Sequence, residues 1–119
     1  MFSFQRKVKI QNVFVVENFE DFNEKVVNSP IPVLVDFYAD WCGPCQLLGP
    51  RIEAKVNGNN GMVLLAKVNV DYAGDLAMDY DVKVVPTVLA FKDGNLVGRF
   101  EGDHPDDYLN DFIADIIEK

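Results

Sequence analysis

The stretch VLVDFYADWCGPC, residues 33–45, decides the fold. Its first six residues are nearly all apolar and rich in β-branched and aromatic side chains, as in a strand buried on both faces. Trp41-Cys42-Gly43-Pro44-Cys45 follows directly, and a helix can open there. Pro44 suits a first helical turn, where its missing N–H costs nothing. Cys45, Leu48, Ile52 and Val56 then carry an apolar face onward at helical spacing. Pro50 falls inside that helix and is expected to kink it.

Upstream, residues 13–16 (VFVV) read as a short strand. Residues 17–27 place Phe19, Phe22, Val26 and Val27 at helical spacing, opened by Glu17 or Asn18, before Pro30 and Pro32 punctuate the chain. Downstream, residues 57–61 are a turn-rich break and residues 62–70 (MVLLAKVNV) a second long buried strand. Residues 71–80 allow a short helix with Leu76, Ala77 and Tyr80 inward. Residues 87–91 form a further strand, joined through the Asp93-Gly94-Asn95 turn to an edge strand over 96–100. Gly102 breaks that strand. Pro105 opens a last helix with Tyr108, Leu109, Phe112, Ile113 and Ile116 on one face. The order β-α-β-α-β-α-β-β-α predicts an α/β fold. Its three-layer α/β/α sandwich would have a mixed sheet, parallel at its centre, with the terminal hairpin as antiparallel edge.

The 119 residues make one ordinary domain, read here as an N-terminal extension over 1–12 and the domain proper over 13–119. With 49% hydrophobic and 25% charged residues the chain has enough apolar material for a core without staples. The net charge of -8 argues against nucleic acid or anionic membrane as partner and fits plain solubility. No apolar run is long enough to span a bilayer. The opening MFSFQRKVKIQN lacks the continuous apolar segment and small-residue cleavage site of a secretory signal. Its basic Arg6, Lys7 and Lys9 fit the stub of an organelle presequence. Its alternating Phe2, Phe4, Val8 and Ile10 fit an added strand, and the two readings stand level.

The two cysteines sit three apart. A disulfide closing so small a loop constrains the unfolded chain little, and two cysteines are too few for a disulfide-built fold, so the pair points to chemistry. As half of a zinc site it would need two more ligands, and only His104 and carboxylates are on offer. As a redox dithiol it belongs where a strand gives way to a helix, and there it stands. The helix N-terminus presents unsatisfied N–H groups and positive potential, which stabilise a thiolate. Cys42, at the cap position, is the expected nucleophile. Cys45, one turn on and more buried, is expected to resolve the mixed disulfide. Gly43 and Pro44 fill the turn without bulk, and no metal is expected.

Asp36 interrupts an apolar strand. It is either a structural or outward-facing acid, or a proton acceptor for Cys45 with a raised pKa. Lys67 likewise breaks its strand, either snorkelling or pairing with Asp36 across neighbouring strands. Trp41, the only tryptophan, reads as a partly exposed indole shielding the sulfurs and contacting partners. Pro86 precedes a strand, and the rarity of cis X-Pro bonds favours trans. His104 reads as a surface residue. Two other uses of this constellation are a net oxidase or isomerase, and a binding module that holds a partner without turnover. Gly-Pro between the cysteines, with no histidine nearby, argues for a reductant.

The run VDFYADWCGPCQLLGPRIE, with AKVNVD and VVPTV before FKDG and the later Gly102, resembles the thioredoxin family from about Val13 onward, closest to its mitochondrial type. The resemblance implies the thioredoxin fold, with Cys42 as nucleophile, Cys45 as resolving cysteine and the two as a redox disulfide. Asp36 would be the buried acid assisting Cys45, with Lys67 its neighbour. Pro86 would be cis, opposite the disulfide, and the Val85 backbone would pair with an extended substrate segment. Trp41, Gly43, Pro44 and Gly102 would complete the docking surface, with Gly94 shaping it further. The implied function is protein-disulfide reduction and cell redox homeostasis. Re-reduction would come from an NADPH-dependent thioredoxin reductase, with substrates such as peroxiredoxins and no cofactor on this chain. A monomer in the mitochondrion is expected, with cytoplasm as the alternative. Two positions depart from the family pattern: Gln46 stands where a basic residue is common, and Val84 where many members have glycine.

Overall fold

The computed structural model describes residues 11–118. The N-terminal extension, with Phe2, Phe4, Arg6, Lys7, Val8, Lys9 and Ile10, lies almost wholly outside the described residues, and neither reading of it is decided. Five strands form one sheet in the order β1-β3-β2-β4-β5. They are β1 (Val13–Val15), β2 (Val33–Tyr38), β3 (Leu64–Asn69), β4 (Thr87–Lys92) and β5 (Asn95–Glu101). β1 and β2 flank β3 in parallel, while β4 runs antiparallel to β2 and β5 antiparallel to β4. The expected mixed sheet is therefore present, and its direction reverses at β4. The helix before β4, α3 (Gly74–Asp79), has six residues. It spans about 9 Å at 1.5 Å per residue, well short of the length of a six-residue strand.

The even-numbered positions of β2 face one helical layer and the odd-numbered ones the other. Leu34 packs with Leu48, Ile52 and Val56 of α2 (Gly43–Asn57) and with Leu109, Ile113 and Ile116 of α4 (Asp106–Glu118). Val33, Val35 and Phe37 pack with Phe22 of α1 (Phe19–Phe22), Val26, and Leu76 and Ala77 of α3. Two apolar layers on one sheet give the three-layer sandwich.

Two elements differ from their sequence reading. The first helix covers less than 17–27: Asn18 caps α1 by accepting the Asp21 N–H at 2.8 Å, and the chain passes at Asn23–Val27 into a π-helical turn. Through this wider turn Phe22 and Val26 both reach the core. α3 starts three residues later than expected. The Asn69 side chain accepts the Asp71 N–H at 2.9 Å and the Asn69 carbonyl accepts from Tyr72 and Ala73, so a turn occupies that stretch. As read from the sequence, Pro50 lies inside α2, where it removes one N–H from the ladder without ending the helix.

The hairpin turn between β4 and β5 puts Asp93 and Gly94 at φ 53° and 80°, as a tight two-residue connection demands. A Cβ at Gly94 would lie 3.0 Å from the Val27 carbonyl oxygen, whereas at Gly102 (φ 79°) it would meet nothing within 4 Å. Gly102→Ala should therefore cost only the left-handed backbone penalty, about 1–2 kcal/mol. Gly94→Ala should cost clearly more, because the Val27 backbone must also give way. Urea unfolding of the two variants checks the order, and equal losses would contradict it.

Candidate active site

The site lies where β2 ends and α2 begins. Cys42 is the N-cap of α2, with extended backbone (φ -89°, ψ 111°), and Pro44 follows in the first turn. The Cys45 N–H donates to Cys42 Sγ at 3.2 Å, so the cap interaction ends on sulfur rather than on the usual oxygen. Cys42 and Cys45 are joined as a disulfide, their Cα atoms 5.3 Å apart. The pair packs with Ala39, Tyr38, Val70 and Val85. The expected difference in burial is absent: Cys42 is 4% and Cys45 6% exposed. When the bond opens, a Cys42 sulfur held against the first N–H groups of a helix is stabilised as an anion.

Opposite the disulfide stands the turn before β4. The Val85–Pro86 peptide is cis, as the resemblance implies and against the trans form that the rarity of cis bonds favours. The local sequence carries no signal for this, because the isomer is selected by the surrounding fold. Cys42 Sγ lies 3.6 Å from the Val85 carbonyl oxygen. The turn is braced by the Thr87 hydroxyl, which donates to the Val84 carbonyl at 2.6 Å, and by the Gly102 N–H, which donates to the Pro86 carbonyl at 2.9 Å. Gly102 thus belongs to this wall. Gly94 does not: it sits in the hairpin at the far end of β4, roughly 20 Å along the strand.

Trp41 is 70% exposed, and its indole N–H donates to Asp71 Oδ2 at 3.0 Å. The ring forms one side of a mainly apolar groove of about 370 Å³, completed by Val70, Val82, Val84 and Val85. Gly43 has open space where a Cβ would be, so within the free chain no close contact requires glycine there. Gln46 turns back to donate to the Asp40 carbonyl at 2.9 Å.

Asp36 is 2% exposed and, at an even position of β2, shares the face of Leu34 that α2 and α4 cover. Its register partner on β3 is Lys67. The two sequence readings of Lys67, snorkelling or pairing with Asp36, each miss its main partner. The ammonium pairs with Glu53 of α2 at 3.0 Å and lies 5.1 Å from the Tyr38 ring centroid. Among the described residues Asp36 Oδ1 has no hydrogen-bond partner. Burial pushes the Asp36 carboxyl up to about 6; Lys67 opposes the rise and Glu53 adds to it.

Sequence reasoning missed three residues. Glu53 shows only as a polar residue beside Ile52, and Asp71 only as a helix start. Arg51 ties α2 to the loop after Gly102, donating to Asp103 Oδ1 at 2.7 Å, the His104 carbonyl at 2.8 Å and Asp106 Oδ1 at 2.8 Å. His104 stacks on Tyr108, ring centroids 4.0 Å apart, away from the sulfurs in sequence and in contacts.

A five-stranded mixed sheet between two helical layers, with a Cys-Gly-Pro-Cys disulfide at a helix N-terminus facing a cis-proline, defines a thiol–disulfide oxidoreductase of the thioredoxin fold. The comparisons with known proteins agree. The family model described as thioredoxin matches residues 12–115. A probable thioredoxin-2 of Caenorhabditis elegans is 58% identical over 106 residues, covering 89% of this chain and 73% of the relative. The mitochondrial thioredoxin of Mus musculus is 49% identical over 104 residues, covering 87% of this chain and 63% of the relative. The chain thus spans less than two thirds of the mouse protein's length. A solved structure of a point-mutant thioredoxin from Halobacterium salinarum superposes with a TM-score of 0.83 at 34% identity, covering 94% of this chain and 98% of that one. The chain belongs to the thioredoxin family.

The raised Asp36 pKa has a consequence for stability. Between its ordinary 3.8 and about 6, the folded chain holds a proton that the unfolded chain has released. Stability therefore falls as pH rises through that window, by about 3 kcal/mol in all, and the loss is complete above it. Asp36→Asn, which cannot ionise, should be more stable than the parent at pH 8 by up to that amount and nearly equal to it at pH 4. Urea unfolding at the two pH values checks this, and a gain no larger at pH 8 than at pH 4 would refute it.

Proposed function

We propose that the chain reduces protein disulfides by two successive thiol–disulfide exchanges at Cys42 and Cys45. In the reduced form the Cys42 thiolate attacks one sulfur of a substrate disulfide. A Cys42–substrate bond forms, and the other substrate sulfur leaves as thiolate. Cys45, deprotonated, then attacks Cys42, forming the Cys42–Cys45 disulfide and releasing the second substrate thiol. Two electrons pass from this chain to the substrate. Asp36 accepts the Cys45 proton, its raised pKa suiting it to hold that proton near neutrality. Lys67 is the charge beside it.

The substrate segment binds in extended form against the Val85 backbone, beside Pro86. Trp41, Gly43, Pro44 and Gly102 provide the surrounding surface. The observation that carries this reading is the Cys42 sulfur at the α2 N-terminus, receiving the Cys45 N–H at 3.2 Å and facing the Val85 carbonyl at 3.6 Å. Substrate entering between those groups meets both the nucleophile and an extended backbone.

An NADPH-dependent thioredoxin reductase restores the dithiol, and peroxiredoxins are among the disulfide-containing substrates. The likeness to the mouse mitochondrial protein supports a mitochondrial location.

In an insulin-reduction assay both Cys42→Ser and Cys45→Ser should fall to background turnover. Cys45→Ser should in addition accumulate a mixed disulfide on Cys42, visible by mass. Parent-like turnover by either variant would overturn the two-cysteine mechanism. With reductase present, NADPH oxidation should depend on the intact chain, and its absence would refute the proposed electron source.

A further inference from the structure

Lys67 occupies an unusual position. It is the register neighbour of a buried carboxylate on a parallel strand, a placement that sends both side chains to the same sheet face. Yet its ammonium pairs with Glu53, at 3.0 Å, on the partly exposed flank of α2. Among the described residues, the charges that act on Asp36 come from two elements. β3 contributes Lys67. α2 contributes the Glu53 carboxylate. β2 itself contributes the Tyr38 phenol, and β4 opposes Asp36 with uncharged Val88. One cation is therefore shared between two carboxylates. The outer carboxylate holds it, while Asp36 keeps one oxygen without a hydrogen-bond partner among the described residues.

We propose that Glu53 is a positioning residue for the dithiol chemistry: by holding the Lys67 ammonium at the edge of the sheet, it keeps that charge from settling on Asp36 and leaves Asp36 able to carry a proton. The inference rests on the reading of Asp36 as proton acceptor for Cys45 only for its effect on turnover. If Glu53 is neutralised, Lys67 loses that partner while its charge still acts on Asp36 across the strands, and an opposite charge favours the ionised acid. Burial remains the largest influence on Asp36 and Lys67 lowers its pKa; the Glu53 charge also raises it directly, and that part of its effect would persist without the lysine.

The test is a carbon-13 NMR titration of the Asp36 carboxyl in the full chain, for the parent, Glu53→Gln, Lys67→Met and the double variant. In Glu53→Gln the Asp36 midpoint should fall by about one unit or more. In Lys67→Met it should rise. Most of the Glu53→Gln shift should vanish in the Lys67→Met background, because the lysine transmits it. An unchanged or raised midpoint in Glu53→Gln would overturn the proposal, as would the same shift with and without Lys67, which would mean that Glu53 acts on Asp36 directly. Far-UV circular dichroism and urea midpoints establish that each variant folds. The pH profile of mixed-disulfide release by Cys45 separates the two roles. If the midpoint moves and the acid limb of that profile moves with it, both readings hold. If the midpoint moves and the profile does not, Glu53 keeps its hold on the Asp36 proton and Asp36 loses its part as proton acceptor.

Discussion

The first N–H groups of α2 have no partner within their own helix, and one of them donates to the sulfur of Cys42. Almost every other feature of the molecule serves that contact. β2 must end where α2 begins, so that the N-cap position falls on a cysteine. The sheet must be covered on both faces, so that the junction sits in a largely apolar setting where the N–H dipoles are poorly screened. The Val85–Pro86 turn must close over the sulfur from β4, with Gly102 holding that turn from β5. Arg51 then ties the loop beyond Gly102 back to the helix carrying the dithiol. The site is thus closed from both sides of the sheet through α2, β4 and β5.

The buried Asp36 works against stability at neutral pH. A carboxylate in an apolar strand would ordinarily be replaced by valine or leucine, and the neighbouring positions of β2 are of that kind. Its retention fits a general feature of active sites, where local cost accompanies chemistry. Lys67 and Glu53 do not remove that cost. They divide one positive charge between two acids, and the more exposed acid holds it. A buried carboxylate left in this condition is neutral over part of the physiological range, as an ordinary surface aspartate is not.

The strand and helix order was legible because both buried layers leave a plain pattern. The runs VLVDFY and MVLLAKVNV are too apolar to be anything but central strands, and the face Tyr108, Leu109, Phe112, Ile113 and Ile116 can only be a helix against a core. The cysteine pair was legible for a local reason too, since cap and nucleophile are set within four residues. The details that escaped depend on side chains competing for backbone. Asn69 takes the Asp71 N–H and delays α3, and the first helix widens after Phe22. Neither competition has a periodic signal.

The sequence by itself determined the layers and the place of the dithiol at a helix start, because each follows from residues adjacent in the chain or repeated along it. Only the tertiary structure decided the reversal at β4, the cis bond at Pro86, the burial of Asp36, the near-equal burial of the two cysteines and the partner of Lys67. Those outcomes are set by contacts between segments many residues apart. Glu53 and Lys67, or Cys42 and Val85, meet only after the sheet has brought their elements together, and nothing in the local chemistry of either residue names the other.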